Sequence, residues 1–453
     1  MEWVRTHPAR ASVLAGWYQQ GCGIIGAIVS IPLIIHSLGE TMAGLWFALI
    51  GILTLFSLTD FGFSMAISRQ AAYTFKLQLG SESRQADLLA TKPGWEGLNE
   101  LYSASYHIFL WVTAVAGLLL IVLIFLVLPY THLHAGHAST AVWSMMGVSL
   151  LATFQSRLSQ AFLEGIGYMY LNRFIAGSYI ILWNLLNIAA LSLGFGIEGL
   201  AVGILTASLA QYLAVHLALR KIASGRIQRT RQLGRNLVGQ LWRVAVPYGI
   251  AGSGGYLVST AQPPLLALLL GPAVVTPYYI ALRIGDTFNA AVSQITSSQG
   301  PFFTHETASG AYEAGKRRFK RTLIIGCILH GCVALAIYFG APTLVYYWIG
   351  PGEFLSKNAL LLFSLNYLAG TCAAVSAIFV LASGRNPFAL TTVLHGVLTV
   401  AGILVFCPKL GLIGAPLASL LAVLLTNFWY CPYQGWITWK ALHSTGSSPL
   451  PAV

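Results

Sequence analysis

Charge is scarce in this chain: Asp, Glu, Lys and Arg make up 8% of its 453 residues, 13 acidic against 25 basic. So few charges do not coat a soluble surface of this size, and with 56% hydrophobic residues the composition excludes an ordinary soluble protein. Period-two alternation is also missing. The apolar runs are long and continuous, which excludes a membrane β-barrel and leaves helices. No GxxxxGK[ST] sequence occurs, so ATP is not the energy source within this chain. The few cysteines, Cys22, Cys327, Cys332, Cys372, Cys407 and Cys431, fall in apolar segments without metal or disulfide spacing and read as small core residues. The start, MEWVRTHPARASVLAGW, is polar and cationic and leads into a full-length apolar run, unlike a cleavable signal peptide.

What is present is a series of membrane-length stretches. At ~20 apolar residues per crossing, twelve spans are predicted, beginning near residues 14, 43, 102, 140, 173, 197, 244, 273, 322, 357, 387 and 411. The formal charge of +12 invites a nucleic-acid reading, but the basic residues sit in short loops without interleaved aromatics. Topology accounts for them instead. Of the 25 Lys and Arg, 21 fall on the side of the N-terminus, Lys357 and Lys409 on the other, and Arg157 and Arg283 within spans. The positive-inside rule then places both termini in the cytoplasm. The large connections, residues 68–101 and the run Arg220 to Arg235, are cytoplasmic, as is KRRFKR from Lys316 to Arg321. They read as orientation signals and contacts to anionic headgroups, with direct contact to a phosphorylated substrate as the alternative. The outer loops are short, the longest about 129–139, and leave no room for an extracytoplasmic catalytic domain. Near the end, FWYCPYQGWITWK gathers Trp429, Tyr433, Trp436 and Trp439 before Lys440, an interfacial aromatic belt.

The chain also repeats itself. PLIIHSLG (Pro32 to Gly39) aligns with PLLALLLG (Pro264 to Gly271) at an offset of 232, and Trp46-Phe47 then align with Tyr278-Tyr279. NRF at Asn172 matches NPF at Asn386, and GIEGLA at Gly196 matches GLIGAP at Gly411, in the same order. A repeat of six helices preserves topology, so the predicted fold is an all-α polytopic membrane protein with about twelve transmembrane helices. They form two six-helix lobes related by a pseudo-two-fold axis along the membrane normal. The expected lobes are residues 1–219 and 244–453, joined by a basic linker over 220–243.

A charged side chain at mid-bilayer costs ~2.5–3.5 kcal/mol on insertion scales, so each one asks for compensation or a wet cavity. Arg283 and Asp286, three apart, share one face of the eighth span with Thr287, Ser293, Gln294 and Ser297. They are either a self-neutralising pair that fixes packing or a cavity lining that meets substrate. Asp60 lies on a stripe with Thr54, Ser57, Ser64 and Ser68, and is either paired with Arg69 or another helix-end cation, or a second lining. At an offset of 233, Thr54, Asp60 and Ser64 fall on Thr287, Ser293 and Ser297, so both lobes are expected to present the same polar face. Arg157 is expected to snorkel to the cytoplasmic interface, where Arg69, Arg173 and Arg243 also stand. Pro247, the glycines of GIAGSGG (Gly249 to Gly255) and Pro263-Pro264 either bend the seventh helix or pack it closely, and Ser253, Tyr256, Ser259 and Thr260 form another expected wet face. His132, His134 and His137 have metal-like spacing but no accompanying carboxylate or thiol, so no metal site is expected. His36, His107, His216, His330 and His395 lie in or beside spans with nothing to select one as a proton carrier.

Five segments, LGETMAGLWFAL, DFGFSMAISRQAA, LEGIGYMYLNRF, YYIALRIGD and LASGRNPF, resemble those of Wzx-type polysaccharide or O-antigen flippases. These belong to the polysaccharide-biosynthesis branch of the multidrug/oligosaccharidyl-lipid/polysaccharide (MOP) exporter superfamily, whose fold is also that of the MATE transporters. The resemblance implies a monomeric, non-enzymatic transporter of a bacterial cytoplasmic membrane. It would carry undecaprenyl-diphosphate-linked oligosaccharide to the outer leaflet by alternating access, alongside membrane lipids and a glycan polymerase or assembly machinery. No cofactor is implied, and coupling to H+ or Na+ is left unassigned. Twelve spans depart from the fourteen of lipid II flippases, so a two-helix lipid-tail groove is not expected. The alternatives are a cation-coupled multidrug exporter of the same superfamily, which would want a carboxylate deep in the first helix, and, more distantly, a membrane-embedded glycan polymerase or glycosyltransferase.

Overall fold

A computed structural model describes residues 8–78, 94–134, 140–227, 235–297, 312–350, 354–382 and 387–444, with Gln299, Phe303 and Glu306; for some residues within these stretches only the backbone is described. Among them the chain is helical throughout. In order, the helices are α1 (Pro8–Phe56), α2 (Phe63–Gln78), α3 (Gly94–His134), α4 (Thr140–Gly165), α5 (Met169–Ser192), α6 (Gly196–Ile222), α7 (Arg235–Ser259), α8 (Gln262–Leu270), α9 (Val275–Ser297), α10 (Tyr312–Trp348), α11 (Lys357–Ala382), α12 (Ala389–Leu410), α13 (Gly414–Leu425) and α14 (Asn427–Ser444). Arg84, Lys92, Arg229, Arg231, His137, Arg385 and Asn386 lie outside the described residues, as do the side chains of Ser57, Gln294, Ser297, His132 and His134.

Seven described segments are long and apolar enough to cross a bilayer, and two of them, Ala11–Leu55 and Ala389–Lys440, run to 45 and 52 residues, room for two crossings each at ~20 residues per span. The remaining three crossings of the predicted twelve are α4, α7 with α8, and α9. These fall short in apolar character because they carry polar faces, α9 above all. A straight helix as long as α1 would extend about 74 Å at 1.5 Å per residue, so it has to turn. It does so at Gly39, whose φ of 75° and ψ of 165° are not helical.

The repeat read from the sequence recurs in the backbone. Gly271, aligned with Gly39, has φ 93° and ψ 160°, a conformation that costs a glycine little and most residues a great deal. Gly196 and Gly411, aligned near the ends of the two halves, have φ of 60° and 62°. Each pair is one turn built twice.

The described chain divides into two compact units. One comprises Met1–Met42 and Ile52–Gly252, the other Ala43–Gly51 and Ser253–Val453. In the first unit α2, α3, α4, α6 and α7 meet around Phe63, Ile67, Leu98, Leu101, Phe109, Leu158, Phe162, Val215 and Leu241, all buried. In the second, Phe303, Phe379, Val380, Phe388 and Cys431 form a core between α11 and α14. There Ala43–Gly51 packs as a guest segment: Trp46, Phe47 and Leu49 are buried, and Gly44 rests so near the carbonyl of Pro272 that a Cβ would strike it. Small residues let two backbones approach where no hydrophobic force drives them together. Phe47 stacks on Tyr279, its repeat counterpart, at 4.1 Å between centroids and 9° between planes.

Two of the four glycines in GIAGSGG pack closely, while Gly252 and Gly255 face open space. α7 runs unbroken through Pro247 and stops at Ser259, Gly249 presses against Phe61, and Gly254 against the backbone of Thr392. The predicted wet face is corrected at Tyr256, which is buried at 8% exposure and donates its hydroxyl to the Gly51 carbonyl at 3.1 Å.

Candidate functional site on α9

In the first unit Asp60 is tied to its surroundings by a helix cap and an ion pair. The helix stops at Phe56, passes through a 3-10 turn over Ser57–Asp60, and turns left-handed at Phe61 and Gly62, with φ of 46° and 78°. It restarts as α2. The predicted continuous stripe from Thr54 through Asp60 to Ser68 is therefore corrected: six residues of other geometry interrupt its 3.6-residue period, and its match to the face of α9 does not survive. Gly62 is needed here because its neighbours, the Ala245 carbonyl and Tyr248, would meet any Cβ within 2.7 Å.

Asp60 is 7% exposed, and both its oxygens are engaged. Oδ1 accepts from the backbone N–H of Ser64 at 3.2 Å, capping the restarted helix. Oδ2 takes Arg157 Nη1 at 3.3 Å. Arg157, expected to snorkel, instead turns to this carboxylate, with its guanidinium 5.5 Å from the Phe154 ring. Arg173 likewise has an internal task, donating from Nη1 to the Ser12 carbonyl at 3.0 Å. Arg69 and Arg243 are exposed.

The second unit holds a different arrangement. Arg283 and Asp286 are both exposed on α9, yet they form no ion pair; each is held by a tyrosine. Arg283 donates from Nε and Nη2 to the Tyr279 hydroxyl, at 2.8 and 2.6 Å, and its guanidinium carbon lies 4.9 Å from the same ring. Tyr279 is in turn fixed by the stack on buried Phe47. Asp286 Oδ1 accepts from the Tyr367 hydroxyl of α11 at 2.9 Å. That reach is possible because Gly285 offers no side chain: a Cβ there would lie 2.6–2.7 Å from the Tyr367 ring and hydroxyl.

One turn further along, Asn289 Oδ1 meets His330 Nε2 of α10 at 3.1 Å, while His330 Nδ1 faces the Gly326 carbonyl at 3.3 Å. Thr287 spends its hydroxyl on the Arg283 carbonyl at 2.7 Å. Ser64 contributes its backbone N–H to the Asp60 cap. Of the two readings for Arg283 and Asp286, the direct ion pair is absent; each charge is oriented by an aromatic hydroxyl instead.

Tyr279 entered the sequence reading only as a repeat match and His330 only as one of five histidines with nothing to select it, while Tyr367 and Asn289 did not enter it. Two signals could have found them locally: Tyr279 precedes Arg283 by four residues, and Asn289 follows Asp286 by three, both on the polar face. Tyr367 is 81 residues away from Asp286, and nothing local points to it. The arrangement offers an anion a forked, permanently charged donor with Nη1 lacking a hydrogen-bond partner among the described residues, and offers hydroxyl groups a carboxylate and two aromatic rings. Among the described residues no group of three or more His, Cys, Asp or Glu is placed to hold a metal ion.

Comparison with solved structures places this arrangement in a known fold. The chain is similar to a multidrug resistance MATE family transporter of the MOP superfamily in its inward-facing conformation, with 14% identity, a TM-score of 0.68, and 93% of this chain and 96% of that one covered. It is similar to the lipid II flippase MurJ in an inward closed conformation, at 12% identity, TM-score 0.63 and coverage of 96% and 93%. A third similar structure is a MOP superfamily transporter from Pyrococcus furiosus Vc1, for which a binding pocket of reverse polarity suggests a different function, at 14% identity, TM-score 0.59 and 97% of both chains. No protein-family profile and no curated protein sequence matches the chain. It is a multi-pass membrane protein with the fold of the MOP-superfamily transporters, and these neighbours are transporters and flippases, not enzymes.

Proposed function

Taking that fold as the premise, we propose that this chain moves a lipid-linked oligosaccharide, carried on undecaprenyl diphosphate, from the cytoplasmic to the outer leaflet of a bacterial cytoplasmic membrane for surface polysaccharide biosynthesis. Alternating access between lobes 1–219 and 244–453, with linker 220–243 and both termini in the cytoplasm, is part of the same reading. The observation that carries it is the state of Arg283. A guanidinium within a span, exposed and not ion-paired among the described residues, calls for an anion, and a diphosphate is the anion this substrate brings. Asp286, Tyr279 and Tyr367 supply acceptors and ring faces for sugars, while the prenyl tail stays in lipid.

The rival is a cation-coupled multidrug exporter. Asp286 favours it, being an exposed carboxylate in a span, but a cationic drug reaching Asp286 would find Arg283 one turn away. The deciding experiment places the purified chain in vesicles with a fluorescent undecaprenyl-diphosphate oligosaccharide in the inner leaflet. Movement of the label to the outer leaflet, with no efflux of ethidium under a proton or sodium gradient, supports the flippase. Efflux without lipid movement overturns it. In the same assay Gly285→Ala is expected to slow movement about tenfold at unchanged protein level, because Tyr367 is pushed off Asp286 and a misplacement near 1 Å in a site is worth up to ~10²-fold.

A further inference from the structure

KRRFKR, from Lys316 to Arg321, puts five cations into six residues near the start of α10, and the fold sorts them by helical position. Lys316, Arg318 and Phe319 are used inside the second unit. Lys316 Nζ lies 4.2 Å from the centroid of the Trp439 ring. Arg318 donates from Nε to Glu306 Oε1 at 2.7 Å and from Nη1 to Gln299 Oε1 at 3.3 Å. Phe319 packs 5.2 Å from Phe379. Arg317, Lys320 and Arg321 are exposed and, with Ile324 and Ile325, line an open cavity of about 350 Å³.

These five positions are spaced i, i+3, i+4, i+7 and i+8, a single helical face. Like charges so placed repel one another, so this face is stabilised by an anion. The face then turns apolar along its length: Ile328 is 59% exposed, and Leu335 and Phe339 follow it outward. The contact between Lys316 and Trp439 ties the cations to the belt formed with Tyr433 and Trp436, whose rings stack at 6.3 Å, and such belts sit at headgroup depth.

We propose that this cavity binds an anionic phospholipid, its headgroup phosphate on Arg317, Lys320 and Arg321 and an acyl chain along Ile324, Ile325 and Ile328. A soluble phosphate shares the first contact and not the second. The lipid gains from both, and its headgroup is delivered at the right depth. This site is separate from Arg283 and does not depend on what the chain transports.

The test is native mass spectrometry of the purified full chain in detergent, titrated with phosphatidylglycerol, with phosphatidylcholine of the same acyl chains, or with inorganic phosphate. Phosphatidylglycerol is expected to bind and phosphatidylcholine not to. At about a factor of five per cation near a membrane surface, Arg317→Gln/Lys320→Gln/Arg321→Gln loses about a hundredfold in affinity. Arg321→Gln alone, which leaves every inward contact in place, loses about fivefold and serves if the triple variant does not purify. Lys440→Gln is expected to change affinity by less than twofold. Equal binding of both phospholipids, or unchanged phosphatidylglycerol binding in the Arg317, Lys320 and Arg321 variants, overturns the proposal. So does displacement of phosphatidylglycerol by an equal concentration of inorganic phosphate, which would make this a soluble-phosphate site.

Discussion

Arg283→Ala is expected to abolish lipid-linked oligosaccharide movement while leaving the amount of protein in the membrane close to wild type. Both halves follow from the geometry. Among the described residues Arg283 has no ion-pair partner to orphan, and its hydrogen-bond partner, the Tyr279 hydroxyl, keeps its place through the stack on Phe47. Removing a charge from a span also relieves an insertion cost of ~2.5–3.5 kcal/mol, which offsets the attraction that Asp286 loses one turn away, so folding has little to lose. Transport has much to lose, because a charge-assisted bond to a phosphate is worth ~1.5–3 kcal/mol and no second cation stands beside Arg283 on the described part of α9. Arg283→Lys is the informative companion. A lysine keeps the charge but not the planar fork that bonds Tyr279 and a phosphate together, so partial activity, roughly a tenth of wild type if ~1.4 kcal/mol is forfeited, is expected. Wild-type movement in Arg283→Ala, read in the vesicle assay, would remove Arg283 from the substrate site.

Asp60→Ala is expected to do the reverse, lowering the amount of folded protein before it lowers transport per molecule. It deprives Arg157 of its carboxylate and α2 of its cap at once. Breaking one side of a buried pair costs about 3–5 kcal/mol, and since Arg157 keeps 28% side-chain exposure the lower end applies, with a cap worth ~1 kcal/mol more. The double variant Asp60→Asn/Arg157→Gln leaves no unpaired charge and retains a side-chain oxygen for the Ser64 N–H, so it is expected to recover most of the loss. Thermal unfolding in detergent, followed by size-exclusion fluorescence, compares wild type, Asp60→Ala and the double variant. If Asp60→Ala unfolds like wild type yet fails to transport, Asp60 belongs to the substrate path and its ion pair is incidental to stability.

The two carboxylates looked alike in sequence, each on a polar stripe of an apolar helix, and the structure gives them different partners: a cap and an ion pair for Asp60, an aromatic hydroxyl for Asp286. What differs is the backbone around them. Around Asp286 α9 continues for 23 residues, so the stripe from Arg283 through Asn289 to Ser293 stays on one face. After Asp60 the chain turns left-handed at Phe61 and Gly62, and the stripe is lost. The DFG triplet carries the break signal in its glycine, but a glycine in an apolar helix is as often a site of close packing, and here Gly62 serves both ends against Ala245 and Tyr248.

The number and length of the spans, the turns at Gly39 and Gly271, the repeat and the polar face of α9 were decided by the sequence itself, since each depends on neighbours within a few residues: apolar length, helical period, and a glycine where φ is positive. Which partner each polar group found was decided only by tertiary structure. Asp60 and Arg157 are 97 residues apart and Asp286 and Tyr367 are 81 apart, and no periodicity reaches across such distances. The allotment of Ala43–Gly51 to the second unit is of the same kind, because it depends on a glycine meeting a distant carbonyl. Within a membrane every span is apolar and hydrophobicity discriminates little between neighbours, so close backbone contact and a few polar bonds choose the pairing, and those exist only once the helices have met.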